Sequence, residues 1–217
     1  MIVKICGLST PETMDAALEA GADMVGLVFH PKSPRFVSMP QAVALAERAR
    51  GKAEITALIV DYDPMAAQLL CARIKPDWLQ LHGSETIADI AAIRTASDRR
   101  VMKAVGVSTA ADLAPASRFA AISDLLLVDA KPPKDAAYPG GHGMPFDWRV
   151  LIALDPGIPF MLSGGLTPDT VAQAIAEVRK LGVNLRGVDV SSGVETAPGV
   201  KDVARIKAFV AAARSAE

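Results

Sequence analysis

Two side chains that could transfer protons each end an apolar run of this sequence. Cys6 follows the run at positions 1–5, and Asp129 follows the run at 125–128. A thiolate and a carboxylic acid on opposite sides of a bound molecule can move two protons. Cysteine is also often a small buried hydrophobe, and aspartate often caps a loop. We favour function for Cys6, whereas Cys71, the other cysteine, has apolar neighbours in a helical segment and is interpreted as structural.

Two segments rich in glycine and serine could hold a phosphate group. They are Leu162-Ser163-Gly164-Gly165-Leu166 and Val188-Asp189-Val190-Ser191-Ser192-Gly193-Val194-Glu195. Glycines let backbone N–H groups approach a ligand closely, and serine hydroxyls add donors. Either segment alone could be an ordinary turn. Because the loops after strands seven and eight of a barrel often bind phosphate, the two segments together predict a phosphate site in a barrel.

Arg35, His82 and Lys4 are further polar residues beside predicted strands. An arginine fork suits a planar carboxylate, although a loop arginine such as Arg35 is more commonly solvated. His82 ends the fourth apolar run and either binds a ligand or orients a neighbour. Lys4 shares the strand face of Cys6 and should point into the fold, where a buried lysine needs a counter-charge. Because strand eight of a barrel closes beside strand one, the sequence predicts an ion pair between Lys4 and Asp189.

Eight short apolar runs position these residues. They lie at 2–6, 24–29, 55–60, 78–81, 101–105, 125–128, 160–162 and 187–190, and longer alanine-rich amphipathic segments separate them. Their starts are roughly 20–35 residues apart, the spacing of strand–helix units, and their continuous apolar character is typical of buried parallel strands. Helix starts are predicted at Thr10-Pro11 and Asp63-Pro64. The pattern predicts a compact α/β fold, a single-domain (β/α)8 TIM barrel over residues 1–217, with a doubly wound open sheet as the alternative.

The composition limits the classes of function. Of the 217 residues, 51% are hydrophobic and 22% charged, and the net charge is -1, which speaks against a nucleic-acid or anionic-membrane surface. No apolar stretch approaches the ~20 residues of a membrane span, and the N-terminus lacks the charged and long apolar parts of a signal peptide. With only two cysteines, the sequence predicts a cytoplasmic protein. The three histidines and two cysteines show no metal-ligand spacing, so we predict no metal.

The same residues together resemble the phosphoribosylanthranilate isomerase family of tryptophan biosynthesis. The matching segments run in order through the chain: Lys4-Ile5-Cys6-Gly7, Gly21-Ala22-Asp23 with Gly26 and Phe29, Ser33-Pro34-Arg35, Gln80-Leu81-His82-Gly83, Asp129, Gly140-Gly141 through Phe146-Asp147-Trp148, Ser163-Gly164-Gly165-Leu166 and Asp189-Val190-Ser191-Ser192-Gly193-Val194-Glu195. The resemblance implies an aldose–ketose isomerase. It would convert N-(5-phosphoribosyl)anthranilate to 1-(2-carboxyphenylamino)-1-deoxyribulose 5-phosphate by an Amadori rearrangement without a cofactor.

The resemblance also implies roles for single residues. Asp129 matches the family's general acid, which protonates the ribose ring oxygen, and Cys6 matches the general base, which takes the proton from ribose C2. Arg35 matches the residue that holds the anthranilate carboxylate, and the loops after strands seven and eight match the phosphate cradle. His142 departs from the family, which usually has a small polar residue there, and its contact is left open. The predicted substrate-binding residues are Arg35, His82, Gly164, Gly165, Asp189, Ser191, Ser192 and Gly193.

Other phosphosugar barrels are the nearest alternatives. An indole-glycerol-phosphate synthase relative would need a lysine as acid, for which Lys103 is the candidate, and a pentose-phosphate epimerase would show paired aspartates or metal-binding histidines. A barrel that only binds a phosphorylated ligand would not need a proton-transfer pair such as Cys6 and Asp129. The expected partner is a small phosphorylated substrate, with no nucleic acid and no membrane, and the chain is expected to be a monomer or a homodimer.

Overall fold

The computed structural model describes residues 1–131 and 146–216, which form strands and helices in alternation. The elements in chain order are β1 (Ile2–Cys6), α1 (Pro11–Glu19), β2 (Met24–Val28), α2 (Met39–Ala49), β3 (Glu54–Ile59), α3 (Pro64–Ile74), β4 (Trp78–Leu81), α4 (Ile87–Ser97), β5 (Arg100–Val107), α5 (Ala116–Ala120), β6 (Leu125–Ala130), β7 (Phe160–Leu162), α6 (Val171–Lys180), β8 (Leu185–Val190), β9 (Glu195–Ala197), β10 (Val200–Lys201) and α7 (Val203–Ser215). Short 3₁₀ helices lie at Ala110–Leu113, Trp148–Ala153 and Ser192–Val194.

The strands β1 to β8 form one closed parallel barrel. Each strand pairs with the next in sequence order, and β8 pairs with β1, where Lys4 lies opposite Asp189. This confirms the predicted (β/α)8 barrel and shows that the open doubly wound sheet was wrong. All eight predicted strands are present, and their bounds differ from the predicted ones by no more than two residues.

Both faces of the barrel strands are buried, which explains why the strands read as continuous apolar runs. The outward side chains, such as Val3, Val25 and Leu126, join one core with the apolar faces of the helices. A second cluster contains only strand residues and fills the interior of the barrel: Met24, Trp78, Met102, Ala104, Leu125, Leu127 and Met161. The interior below the site is therefore a packed core and not a channel.

Helix starts follow the local signals of the sequence. The Thr10 hydroxyl accepts a hydrogen bond from the Thr13 N–H (3.2 Å), and the Asp63 carboxylate accepts one from the Ala66 N–H (2.8 Å). In both helices a proline follows the cap, where its fixed φ suits the first turn and its missing N–H costs nothing. The two predicted starts are confirmed.

The barrel is irregular after β5 and after β6. The segment after β5 holds a 3₁₀ helix and the five-residue α5, and among the described residues after β6 only the 3₁₀ helix Trp148–Ala153 precedes β7. Among the described residues, a short 3₁₀ helix therefore stands where a regular strand–helix unit has an α-helix, and Pro156 and Gly157, which favour a turn, follow closely. Within residues 1–131 and 146–216, no helix combines the length and the apolar character needed to cross a membrane.

Candidate active site

The carboxyl ends of the eight strands meet at one end of the barrel, which we call the mouth. Cys6 ends β1, His82 follows β4, Asp129 lies near the end of β6, and Ser163 follows β7. In the closed strand order, β7 and β8 separate β6 from β1 on one side, and four strands separate them on the other. Cys6 and Asp129 therefore lie on different sides of the mouth, as the sequence predicted.

Cys6 is a buried thiol with both apolar and charged neighbours. Its side chain packs with Val28 and Leu58. Gly26 lies beside it on β2, where a side chain would come within 2.7 Å of Sγ, so that the glycine leaves room for the thiol. Burial raises the pKa of the Cys6 thiol, and the nearby positive charges of Lys4 and Lys201 only partly oppose this.

Lys4 lies directly below Cys6 on the same face of β1 and is fully buried, with 0% of its surface exposed. Its ammonium group is 2.7 Å from Oδ1 of Asp189, which confirms the predicted ion pair. The second oxygen of Asp189 accepts a hydrogen bond from the Ser163 hydroxyl at 3.1 Å. Burial alone would lower the pKa of Lys4, but Asp189 and the Cys6 thiol together raise it. The lysine thus stays charged beside the thiol.

Asp129 is 4% exposed, and both of its carboxylate oxygens have partners. Oδ1 accepts a hydrogen bond from the Ala130 N–H (2.9 Å), and Oδ2 is 3.3 Å from Nε2 of His82. Nδ1 of His82 is in turn 3.0 Å from the amide nitrogen of Gln80. The sequence left open whether His82 binds a ligand or orients a neighbour, and the structure places it against Asp129.

Arg35 is buried and lies across Gly7, just beyond the end of β1. Its guanidinium forms a two-point ion pair with Glu195: Nε is 2.7 Å from Oε1, and Nη2 is 2.8 Å from Oε2. This fork fixes the plane of the guanidinium group. Burial tends to raise the pKa of Glu195, but hydrogen bonding from Arg35 and the charge and hydrogen bond of Lys201 hold it below its usual value.

Lys201 completes this cluster, and sequence reasoning missed it. Its ammonium group is 2.6 Å from Oε1 of Glu195 and donates to the backbone carbonyl of Ser191 (2.8 Å). Burial lowers the pKa of Lys201 to about 8 despite the neighbouring carboxylate. Lys201 pairs with Glu195 across the β9–β10 hairpin. The Pro198-Gly199 turn between the two residues was the sequence signal that could have revealed their contact.

The loops after β7 and β8 have the backbone that a phosphate cradle needs. Gly164 and Gly165 have φ of +85° and +69°, and a side chain at Gly164 would collide with Ala130. A side chain at Gly193 would collide with the Leu166 carbonyl, so the two loops can touch only where this residue is glycine. Within the described parts of the chain, the N–H groups of Gly164 and Gly165 donate to no protein acceptor.

Three further residues of the sequence analysis remain to be placed: Ser191, Ser192 and His142. Ser191 lies beside β1, where its hydroxyl donates to the Cys6 carbonyl (3.1 Å), and Ser192 begins the 3₁₀ helix Ser192–Val194. His142 lies outside the described residues. Among residues 1–131 and 146–216, no three His, Cys, Asp or Glu side chains are grouped as metal ligands would be.

The fold agrees with what comparisons with known proteins find. The model of the family PRAI, N-(5'-phosphoribosyl)anthranilate (PRA) isomerase, matches residues 3–212. The N-(5'-phosphoribosyl)anthranilate isomerase of Afipia carboxidovorans is 56% identical over 216 residues, which cover 100% of this chain and 90% of that protein.

Solved structures give the same result. A phosphoribosyl anthranilate isomerase in complex with reduced 1-(o-carboxyphenylamino)-1-deoxyribulose 5-phosphate is 33% identical, with a TM-score of 0.84 over 99% of this chain and 100% of that one. A structure described as monomers of the dimeric Thermotoga maritima enzyme is 34% identical, with a TM-score of 0.81 and the same coverage. The chain therefore belongs to the N-(5'-phosphoribosyl)anthranilate isomerase family.

Proposed function

We propose that this chain isomerises N-(5-phosphoribosyl)anthranilate to 1-(2-carboxyphenylamino)-1-deoxyribulose 5-phosphate in tryptophan biosynthesis. One observation carries the assignment of the chemistry: a buried thiol, Cys6, and a buried carboxyl group, Asp129, lie on different sides of a mouth whose glycine-rich loops can hold a phosphate. An acid and a base on two sides of one phosphosugar are what this isomerisation requires.

In the proposed course of the reaction, Asp129 donates its proton to the ribose ring oxygen, and the C1–O bond breaks to give a Schiff base. The Cys6 thiolate then takes the proton from C2, which gives an enolamine. Conversion to the ketone adds one proton at C1 and removes one from the hydroxyl on C2, so the thiol and the carboxylate can return to their starting forms. The oxidation of C2 is balanced by the reduction of C1 in the same substrate molecule, so the balance needs no external oxidant or reductant.

The binding groups follow the same division of the mouth. The backbone N–H groups of Gly164, Gly165, Ser191 and Ser192 bind the phosphate, because donors on two short loops can point at one anion. The Gly193 position lets those loops approach each other. Arg35 holds the anthranilate carboxylate, a planar anion that suits a guanidinium already fixed by Glu195.

The contacts of Asp189 and His82 support indirect roles for these two residues. The carboxylate of Asp189 engages Lys4 and Ser163, so in this proposal it holds the cation that favours the Cys6 thiolate. His82 contacts Asp129 and acts on substrate through that acid. Both assignments refine the predicted set of substrate-binding residues.

The position of Lys103 disfavours the synthase-like alternative. Its neighbours on β5, Met102 and Ala104, point into the barrel, so Lys103 points outward to the helix layer. There its ammonium group contacts Glu85 (2.7 Å) and the Gly83 carbonyl (2.8 Å). A lysine on the outer side of the sheet cannot protonate a substrate in the mouth.

The loss of phosphoribosylanthranilate fluorescence tests the proposal. The purified wild-type protein should convert the substrate, and Cys6→Ala and Asp129→Ala should each reduce kcat by about 10²–10⁴-fold while substrate still binds. Cys71→Ala is the matched control, because this second buried cysteine lies in α3 and should leave kcat unchanged. No conversion at micromolar wild-type enzyme would reject the function, and near-normal turnover by Cys6→Ala would reject the assigned base.

The remaining expectations concern the setting of the enzyme. We propose a cytoplasmic enzyme with a small phosphorylated substrate and no nucleic-acid or membrane partner, present as a monomer or a homodimer. Light scattering on the purified chain measures the oligomeric state directly. A larger assembly, or retention on a nucleic-acid column at physiological salt, would contradict this part of the proposal.

A further inference from the structure

Three side chains form a row that leads from inside the barrel to the proposed acid. Gln80 and His82 lie on the same inward face of the chain at β4, because side chains two residues apart in a strand share a face. The Gln80 amide nitrogen is 3.0 Å from Nδ1 of His82, and Nε2 of His82 is 3.3 Å from Oδ2 of Asp129. Gln80 is 1% exposed, so bulk water does not compete with His82 for the amide.

The chemistry of the amide decides which nitrogen of His82 carries the hydrogen. An amide nitrogen can only donate, so Nδ1, which faces it, must accept. In a neutral imidazole whose Nδ1 accepts, Nε2 carries the hydrogen, and Nε2 is the nitrogen that faces Asp129. A hydrogen on Nδ1 would instead oppose the hydrogens of the buried amide.

We infer that Gln80 is a positioning residue for the isomerisation. It selects the Nε2–H tautomer of His82, so that the ring turns a hydrogen toward Oδ2 of Asp129, 3.3 Å away, while the Ala130 N–H donates to Oδ1. The inference rests on the proposed role of Asp129 as the acid. Neither Gln80 nor His82 exchanges a proton with substrate in this account.

The neutral donor suits an acid that must alternate between two forms. A hydrogen on a neutral imidazole, 3.3 Å from Oδ2, orients the carboxyl group without setting a full positive charge against it. The nearest charged side chains of the β4–β5 region, Lys103 and Glu85, lie on the outer side of the sheet and pair with each other at 2.7 Å. In this part of the described chain, the tautomer is therefore set by Gln80.

The tautomer can be measured on the free protein by long-range ¹H–¹⁵N correlation of the imidazole rings. The chain has three histidines, and the signals that disappear in His82→Asn identify His82. We expect an unprotonated Nδ1 and a protonated Nε2 in the wild type. Gln80→Met keeps the length of the side chain but removes the donor, and it should give a mixture of tautomers. A hydrogen on Nδ1 of wild-type His82, or an unchanged pattern in Gln80→Met, would overturn the inference.

Kinetics separate positioning from substrate binding. Gln80→Met should lower kcat about tenfold, the scale of one lost positioning hydrogen bond, with KM nearly unchanged. Gln80→Glu presents an acceptor to Nδ1, so it should reverse the tautomer and lower kcat further. A raised KM with unchanged kcat would assign Gln80 to substrate binding instead. The NMR result stands without any activity, so an inactive wild type would reject the proposed function while the tautomer is still decided.

Discussion

The two ends of the barrel use acidic side chains for different purposes. At the end opposite to the mouth, which we call the floor, three aspartates directly precede β2, β4 and β6, and each accepts a hydrogen bond of 2.7 or 2.8 Å from a backbone N–H of the preceding strand. The pairs are Asp23 with Val3, Asp77 with Ile55 and Asp124 with Val101. The N–H of each aspartate donates back to the carbonyl of the same residue. The floor carboxylates thus join neighbouring strands.

The ion pairs at the two ends differ in their exposure to water. At the floor, the Arg100 and Glu54 side chains are 46% and 42% exposed, whereas at the mouth those of Lys4 and Asp189 are 0% and 5% exposed. An exposed pair contributes about 0–1 kcal/mol, but breaking a buried pair costs about 3–5 kcal/mol because one charge is left alone. A buried pair adds little to folding, so the buried charges of the mouth fit the proposed chemistry better than a role in stability.

The largest expected contrast is between Asp129, on β6 at the mouth, and Asp124, which precedes β6 at the floor. Asp129→Asn at the mouth should lower kcat by about 10²–10⁴-fold, because the amide cannot donate the acid's proton, and it should leave the urea midpoint nearly unchanged. Fluorescence kinetics and urea unfolding measure the two quantities on the same sample. A large loss of stability without the loss of kcat would place Asp129 with the floor residues.

A second contrast compares Glu195 with Glu54. Glu195→Gln leaves Arg35 and Lys201 buried without their shared carboxylate, so the free energy of unfolding should fall by about 3–5 kcal/mol, and KM should rise as Arg35 loses its fixed plane. Glu54→Gln weakens a half-exposed ion pair with Arg100 and keeps an oxygen that can accept from the Trp78 indole N–H (2.7 Å), so it should cost about 1 kcal/mol or less with unchanged KM. Equal effects of the two variants in urea unfolding would contradict the comparison.

The sequence predicted the barrel well because parallel strands buried on both faces have continuous apolar sequences. The strands extend beyond the predicted runs only at their ends, and some of the added residues are polar, as with Arg186 in β8. The ion pair of Lys4 and Asp189 was also predictable, since it follows from strand alternation and barrel closure alone. Both results depend only on regular geometry.

The contacts that sequence reasoning missed depend on loop geometry. Glu195 meets Arg35 because the β9–β10 hairpin folds back over the end of β1. Strand alternation turns both His82 and Asp129 inward, but their contact spans β5, and no periodic pattern encodes the approach of either pair. The pairing of charges at the mouth can therefore be identified only from the three-dimensional structure of the loops.

A third contrast concerns pH. Burial raises the pKa of the Cys6 thiol, so kcat/KM should rise with pH as the thiolate forms. Lys201→Met removes one of the cations that oppose this rise in pKa, so kcat/KM near pH 7 should fall about threefold to tenfold. Because the pKa of Lys201 is about 8, the wild type loses that charge at higher pH and the two profiles should converge. The control is Lys207→Met, which removes an exposed lysine that pairs with Glu19. If the pH profile of Lys201→Met ran parallel to that of the wild type, an effect of Lys201 on the thiol would be excluded.

The smallest expected effect concerns the hydrogen bond between a floor aspartate and the neighbouring strand. Asp124 accepts from the Val101 N–H through one oxygen and from Arg94 through the other, so Asp124→Ala, which removes both acceptors, should lower the free energy of unfolding by about 1 kcal/mol and leave kcat unchanged. Arg94→Ala removes the partly exposed ion pair and a hydrogen bond to the Ile122 carbonyl (3.1 Å) but keeps the acceptor of the Val101 N–H, and it should cost less, about 0.5 kcal/mol. A larger loss for Asp124→Ala than for Arg94→Ala is the expected sign of the strand-joining hydrogen bond. If Asp124→Ala lowered kcat instead, the floor would share in the chemistry, and the division between the two ends of the barrel would fail.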